Sequence, residues 1–152
     1  MKTIQSIILL SFFAINLSAQ SANMKTAMEG YAKFGQGDVA GILSTMSDDI
    51  VWVHAGNPAI LPFAGTFAGK PEVGRFFQVV GQCSQITVFQ PANFREEGNK
   101  VMNTIRIEGT AISTGKPFTS DITVTWTFAP DGKVTRWECV GDMSPAEAAF
   151  TR

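Results

Sequence analysis

Asp121-Ile122-Thr123-Val124-Thr125-Trp126-Thr127-Phe128 alternates polar and apolar side chains without a break. A strand of that pattern buries one face and wets the other, as an antiparallel sheet does when helices cover one side of it. Working outward, turn signals stand on either side at Glu97-Gly98-Asn99, Thr114-Gly115-Lys116 and Pro130-Asp131-Gly132, their glycines 17 residues apart. That spacing leaves room for one strand and one turn each time. It predicts a four-stranded meander over about 84–95, 100–111, 118–128 and 133–141.

The N-terminal half changes period. Met24, Ala27, Met28, Tyr31 and Phe34 recur at steps of three and four, the apolar stripe of a helix, which Gly35 and Gly37 end. Asp38 stands where an N-cap belongs, ahead of Val39, Ile42, Leu43 and Met46 at helical spacing. Ser47-Asp48-Asp49 breaks that second helix, and Ile50-Val51-Trp52-Val53-His54 reads as a strand. Residues 55–69 form a loop with a short strand near Thr66-Phe67, and a third helix starts at Pro71 with Val73, Phe76, Phe77 and Val80 as its face. Helices followed by a long curved sheet make an α+β domain with three N-terminal helices packed on an antiparallel sheet.

Residues 1–19 read as a signal peptide and residues 20–152 as a single domain. Lys2 precedes the apolar run 7–15, and Leu17-Ser18-Ala19 offers a small residue at the cleavage point. The run is too short for a bilayer, which needs roughly 20 apolar residues. The expected product is exported, periplasmic or secreted, and needs no membrane once the signal is removed. Losing Lys2 moves the formal charge from −1 to −2, and no block of like charge offers a footprint for nucleic acid. In an exported protein Cys83 and Cys139 raise the question of a disulfide. At opposite edges of a flat meander they would be three strand spacings of ~4.8 Å apart, beyond the ~7 Å that a disulfide spans, unless the sheet curls strongly.

Several short stretches, in this order, resemble one family. Tyr31-Ala32-Lys33-Phe34-Gly35-Gln36-Gly37-Asp38 is similar to its first-helix ending, and Ser47 to Trp52 to its entry into the first strand. Leu61 to Lys70 is similar to its approach to the third helix, Val73 to Phe77 to the run ending in two aromatics, and Glu108 to Phe118 to its central hairpin. Asp131-Gly132-Lys133-Val134 and Gly141-Asp142 are similar to its last turn and its close. Together they resemble the SnoaL-like branch of the nuclear transport factor 2-like superfamily over residues 24–143. The resemblance implies a cone whose sheet wraps helices around an apolar pocket, and a homodimer through the outer sheet face. Relatives include polyketide cyclases, steroid isomerases, dehydratases, epoxide hydrolases and binding domains, so the fold alone does not fix a reaction.

His54, the only histidine, ends the first strand. Its position resembles that of the aspartate base of steroid isomerases, and a histidine there takes a proton near neutral pH without much tuning. The plainer alternative is a hydrogen-bonded core or rim histidine. Asp142 is the second catalytic candidate, as base or as partner to His54; the alternative is an aspartate capping a turn. By the same resemblance, the isomerases' oxyanion groups fall on Val124 and Gly30, with Tyr31 one residue off, which argues against steroid isomerisation. Tyr31, Trp52, Phe63, Phe77, Asn103, Val124 and Trp126 are the expected pocket lining. Arg106 and Glu108 share a strand face, either in the pocket or on a solvated or dimer-facing surface. A lone histidine without clustered cysteines or carboxylates offers no metal site, and no nucleophile elbow or phosphate loop implies a cofactor. Three functions remain open: binding of a small apolar molecule, proton transfer by His54 in an isomerase, cyclase or dehydratase, and sheet-mediated protein interaction.

Overall fold

A computed structural model describes residues 21–152; the expected signal peptide lies outside the described residues. Helix α1, Ala22–Gly35, starts at Ser21, whose hydroxyl accepts from the Met24 N–H at 3.0 Å. Gly37 follows at φ 72°, the left-handed conformation that turns the chain out of the helix. Asp38 then caps α2, Val39–Ser44, by accepting from the Gly41 N–H at 2.9 Å.

Strand β1 runs Met46–His54, starting four residues before the expected Ile50. Met46 is therefore not the last residue of a helix face. It pairs with Val134 of the last strand and is fully buried, so tertiary pairing overrides the polar Ser47-Asp48-Asp49 run. Strand β2, Gly65–Ala68, pairs antiparallel with β1. Helix α3, Lys70–Cys83, carries Pro71 in its first turn and extends past Val80, which puts Cys83 at its end rather than in a strand.

The meander follows as β3 (Ser84–Glu97), β4 (Lys100–Ala111), β5 (Pro117–Phe128) and β6 (Val134–Gly141). The six strands are ordered β2-β1-β6-β5-β4-β3, antiparallel throughout except for β1 beside β6, which is parallel. A short helix, α4 (Ser144–Phe150), closes the chain and has no counterpart in the sequence reading. Its Ala146 and Ala149 are buried, and Phe150 packs edge-on against Phe63 and tilted on Phe118. No helix among the described residues is long and apolar enough to cross a membrane.

Every other residue of β5 from Phe118 to Phe128 faces inward and is buried. Pairing sets Trp52 of β1 and Trp126 of β5 on either side of Trp137 in β6, so three tryptophans form a row across three adjacent strands. Helix α1 lies over this row at Gly30, where an added Cβ would come within 2.9 Å of the Trp126 ring. Trp126 cannot easily swing away, because its indole N–H donates to the Tyr31 hydroxyl at 2.9 Å. Alanine is the better helix former by about 1 kcal/mol, but forcing a methyl into packed space costs about 1–3 kcal/mol. Gly30→Ala is therefore expected to lower the unfolding free energy by up to about 2 kcal/mol net, measured as a fall in the urea midpoint with an unchanged slope.

Candidate functional site

Between the helices and the inner sheet face lies a cavity of about 800 Å³, counting its mouth, whose wall is almost entirely apolar. The space enclosed within it is about 80 Å³, less than the roughly 300–1,000 Å³ of a usual small-molecule site, so a ligand of that size must extend into the mouth. Tyr31, Trp52, Phe63, Phe77 and Trp126 line it, and so does His54.

His54 ends β1 and is only 8% exposed. Its Nδ1 lies 2.9 Å from the Ala55 carbonyl oxygen. A carbonyl can only accept, so Nδ1 carries the proton and the lone pair of the neutral ring sits on Nε2. No partner for Nε2 is found among the described residues. The ring is held by Phe63 edge-on at 5.1 Å and by Phe76 at 5.7 Å. Burial, only partly opposed by the Ala55 carbonyl, lowers the His54 pKa below the ordinary 6.5. His54 is therefore neutral at physiological pH, able to accept a proton and a weaker base than free imidazole. The corner is pinned from behind: the Ala55 N–H donates to the buried Cys139 Sγ at 3.4 Å.

Farther along the row, the Tyr31 hydroxyl donates to Asn103 Oδ1 at 2.8 Å and accepts from Trp126 Nε1. Burial raises the phenol's pKa, so it stays protonated. Trp52 and Trp137 stack at 3.9 Å with their planes 6° apart. Their indole N–H groups and the Ser120 hydroxyl are buried without a hydrogen-bond partner, on three side chains that line the cavity.

Three expected residues do not stand where the sequence reading put them. Asn103 is inward-facing but lies behind Tyr31, its amide consumed by Tyr31 and by donation to the Thr104 carbonyl at 3.1 Å. Val124 is fully buried between Asn103 and Cys139 in the sheet and is outside the cavity wall. Asp142 is exposed and does not meet His54. Its Oδ1 accepts from the Ser144 hydroxyl at 2.6 Å and the Ser144 N–H at 3.0 Å, which holds its pKa below the ordinary carboxylate value and ties the start of α4. Arg106 lies on the exposed outer face, between Glu108 at 3.1 Å and Asp121 at 3.2 Å. Cys83 and Cys139 are both free thiols, and burial pushes the Cys139 pKa to about 11. Among the described residues no cluster of histidine, cysteine and carboxylate side chains could hold a metal ion.

Trp137 and Phe76 belong to the aromatic interior that the sequence offers as possible lining, though neither is singled out there; Ser120 is missed outright. Ser120 had a signal: continuing the Ile122-Val124-Trp126 phase back one step puts a lone hydroxyl in an apolar inward row. For Trp137 the sequence offers an inward aromatic but not its place beside Trp52, which depends on the β1–β6 register.

With the helices, the sheet and the cavity in place, the chain belongs to the SnoaL-like domain family, whose model matches residues 28–137. No curated protein matches it. Among solved structures, a nuclear transport factor 2-like protein from Burkholderia pseudomallei is 26% identical, with 87% of this chain and 99% of that one aligned at a TM-score of 0.78. TerC, co-crystallised with polyporic acid, is 29% identical over 86% of this chain and 98% of its own, with a TM-score of 0.73. A Mesorhizobium loti protein assigned as a SnoaL-like polyketide cyclase shares the fold at 20% identity, over 76% of this chain and 96% of that one, with a TM-score of 0.64.

The lowered pKa of His54 has a consequence for stability. The unfolded chain takes up a proton near the ordinary 6.5 while folded His54 still resists one. Unfolding then binds protons, and stability falls as the pH drops below that value, levelling off once the folded pKa is passed. Urea unfolding of the wild type between pH 7.5 and 5 should show this loss beyond that of His54→Gln, which lacks the titrating group. Parallel curves for the two proteins would contradict it.

Proposed function

We propose that this domain binds one small, largely apolar molecule carrying a hydrogen-bonding oxygen, in the cavity beside His54. One observation carries the reading: an apolar cavity, open at its mouth, whose wall holds a histidine with an uncommitted Nε2 and three buried polar groups without partners. Each unpaired buried polar group costs about 1–3 kcal/mol, some of which a suitably placed oxygen would recover. The complex of TerC with polyporic acid supports binding of an oxygenated ring compound in a similar fold. Residues 1–19 add that the binding takes place outside the cytoplasm.

A second reading is proton transfer by His54, as in an isomerase, cyclase or dehydratase. It is favoured by the fixed tautomer, which leaves Nε2 as the accepting atom. Asp142 is not included, since its carboxylate is spent on Ser144.

Both readings are tested by following the His54 ring by NMR during titration with cyclic ketones such as 2-tetralone. Binding should shift the His54 resonances and its pKa, and quench fluorescence from the tryptophan row. Asp142→Asn should bind equally well. Resonances that ignore every ketone would remove the cavity as a binding site. If His54 is a base, a bound ketone whose α-carbon is acidified by a second group, as C1 of 2-tetralone is by its aromatic ring, should exchange that carbon's protons for deuterium, and His54→Gln should slow the exchange by about 100-fold or more, the usual share of a positioned base. Exchange at the same rate in the variant would leave binding alone.

A further inference from the structure

Strand β3 is a sheet edge, and it departs from regular pairing twice. Ile86 and Val88 face Gly109 and Glu108, and Ala92 and Arg95 face Thr104 and Met102, so β3 carries one extra residue at each place. Each extra residue shifts the alternation of side chains by one. Regular pairing would place Ile86, Val88 and Gln90 on one face. The two bulges instead bring Ile86, Phe89, Pro91 and Phe94 to the side that looks onto α1. The second is held by Asn93, at φ 56° in the left-handed region, whose amide donates to Thr104 Oγ1 at 2.8 Å. Bulges are over-represented at sheet edges, as here, and beside active sites, where they re-aim side chains.

Those side chains form one wall of a groove of about 1100 Å³, counting the solvent above it, and α1 forms the other. No charged side chain lines it among the described residues. Tyr31, Phe34, Ile86 and Phe89 belong to this groove and to the inner cavity alike. Cavity and groove are thus two sides of one partition, whose closest ring pair is Phe34 and Phe89 at 4.7 Å. Both are half-buried side chains, able to turn about their own torsions without moving the backbone.

We propose that the groove is the outer half of the ligand site, and that the ligand is an elongated molecule. Its oxygen-bearing head lies in the cavity beside His54, and its uncharged hydrocarbon tail passes the Phe34–Phe89 pair into the groove between α1 and β3. This rests on the binding function proposed above and names the shape of the molecule bound.

The test uses the chain as expressed and a series of 2-alkanones from 2-pentanone to 2-decanone, followed by tryptophan fluorescence and calorimetry. Affinity should climb by about three- to four-fold per added methylene up to the longest ketone, the increment for burying one more such group. Thr87→Glu, an exposed position on the groove wall, should weaken 2-decanone by about ten-fold, the effect of a charge beside a buried tail, and leave 2-pentanone unchanged. Phe94→Ala, also confined to the groove, should act in the same direction. If 2-pentanone binds but affinity stops rising with length, or if both variants bind 2-decanone as the wild type does, another occupant fills the groove and the proposal is overturned. If no ketone of any length binds, the binding function fails and this inference fails with it.

Discussion

The site depends on the parallel pairing of β1 with β6. Hairpins alone would build an antiparallel meander with a free edge at β6, and its inner face would end at Trp137 and Cys139. Adding β1 to that edge, with α3 and four strands between β1 and β6 in the chain, sets Trp52 beside Trp137 at stacking distance. It also carries His54 to the edge of the cavity, where the Cys139 thiol holds the following residue. A slip of one residue would turn Trp52 and His54 to the opposite face of the sheet. The register is specified twice, by the burial of Ile50 and Trp52 on the inner face and by the pairing of β2 with the far side of β1.

On that frame the two polar ends of the cavity have opposite characters. Tyr31, Asn103 and Trp126 form a closed set: the phenol donates to the amide, accepts from the indole, and the amide donates onward to a carbonyl. A buried network with its members satisfied stiffens a wall, and this one fixes α1 against the sheet where Gly30 meets Trp126. His54 is the open end. One nitrogen is anchored to its own backbone, and the other is free on a ring gripped by aromatics. The first set holds the shape of the cavity; the second leaves a group available to whatever enters.

Much of this architecture could be read before the fold was known, because it is written in local signals. The alternation in β5, the glycine turns, the Asp38 cap and the Pro71 helix start each act within a few residues, and each appears in the structure as expected. What escaped depends on pairing between distant segments. Met46 fits a helix stripe and a buried strand equally well until Val134 is placed beside it. Helix α4 is a short run of alanines whose burial depends on the cavity rim it covers. Val124 has the right phase to face inward, but phase does not say where along an inward row the cavity begins and ends. The β3 bulges leave no mark in hydrophobic alternation except its failure, and such failure reads as an exposed edge.

The chemistry open to such a cavity is limited by what the wall can donate. Enzymes that enolise a ketone commonly place donors at the developing oxyanion, each worth about 3–4 kcal/mol. Here the tyrosine that sequence places nearest that role has its proton committed to Asn103, and an indole ring fills the space beside Gly30. What remains is a neutral imidazole, weakened by burial, with a serine hydroxyl and two indole N–H groups near the same space. A weak base with little oxyanion support can remove a proton only from carbon already acidified by its own substituents, such as a carbon between two carbonyls. A simple ketone without that activation would be held in the cavity and released unchanged. The same wall would then serve as a binding site for one molecule and as a proton-transfer site for another, and the acidity of the ligand, more than any further residue of the protein, would decide which.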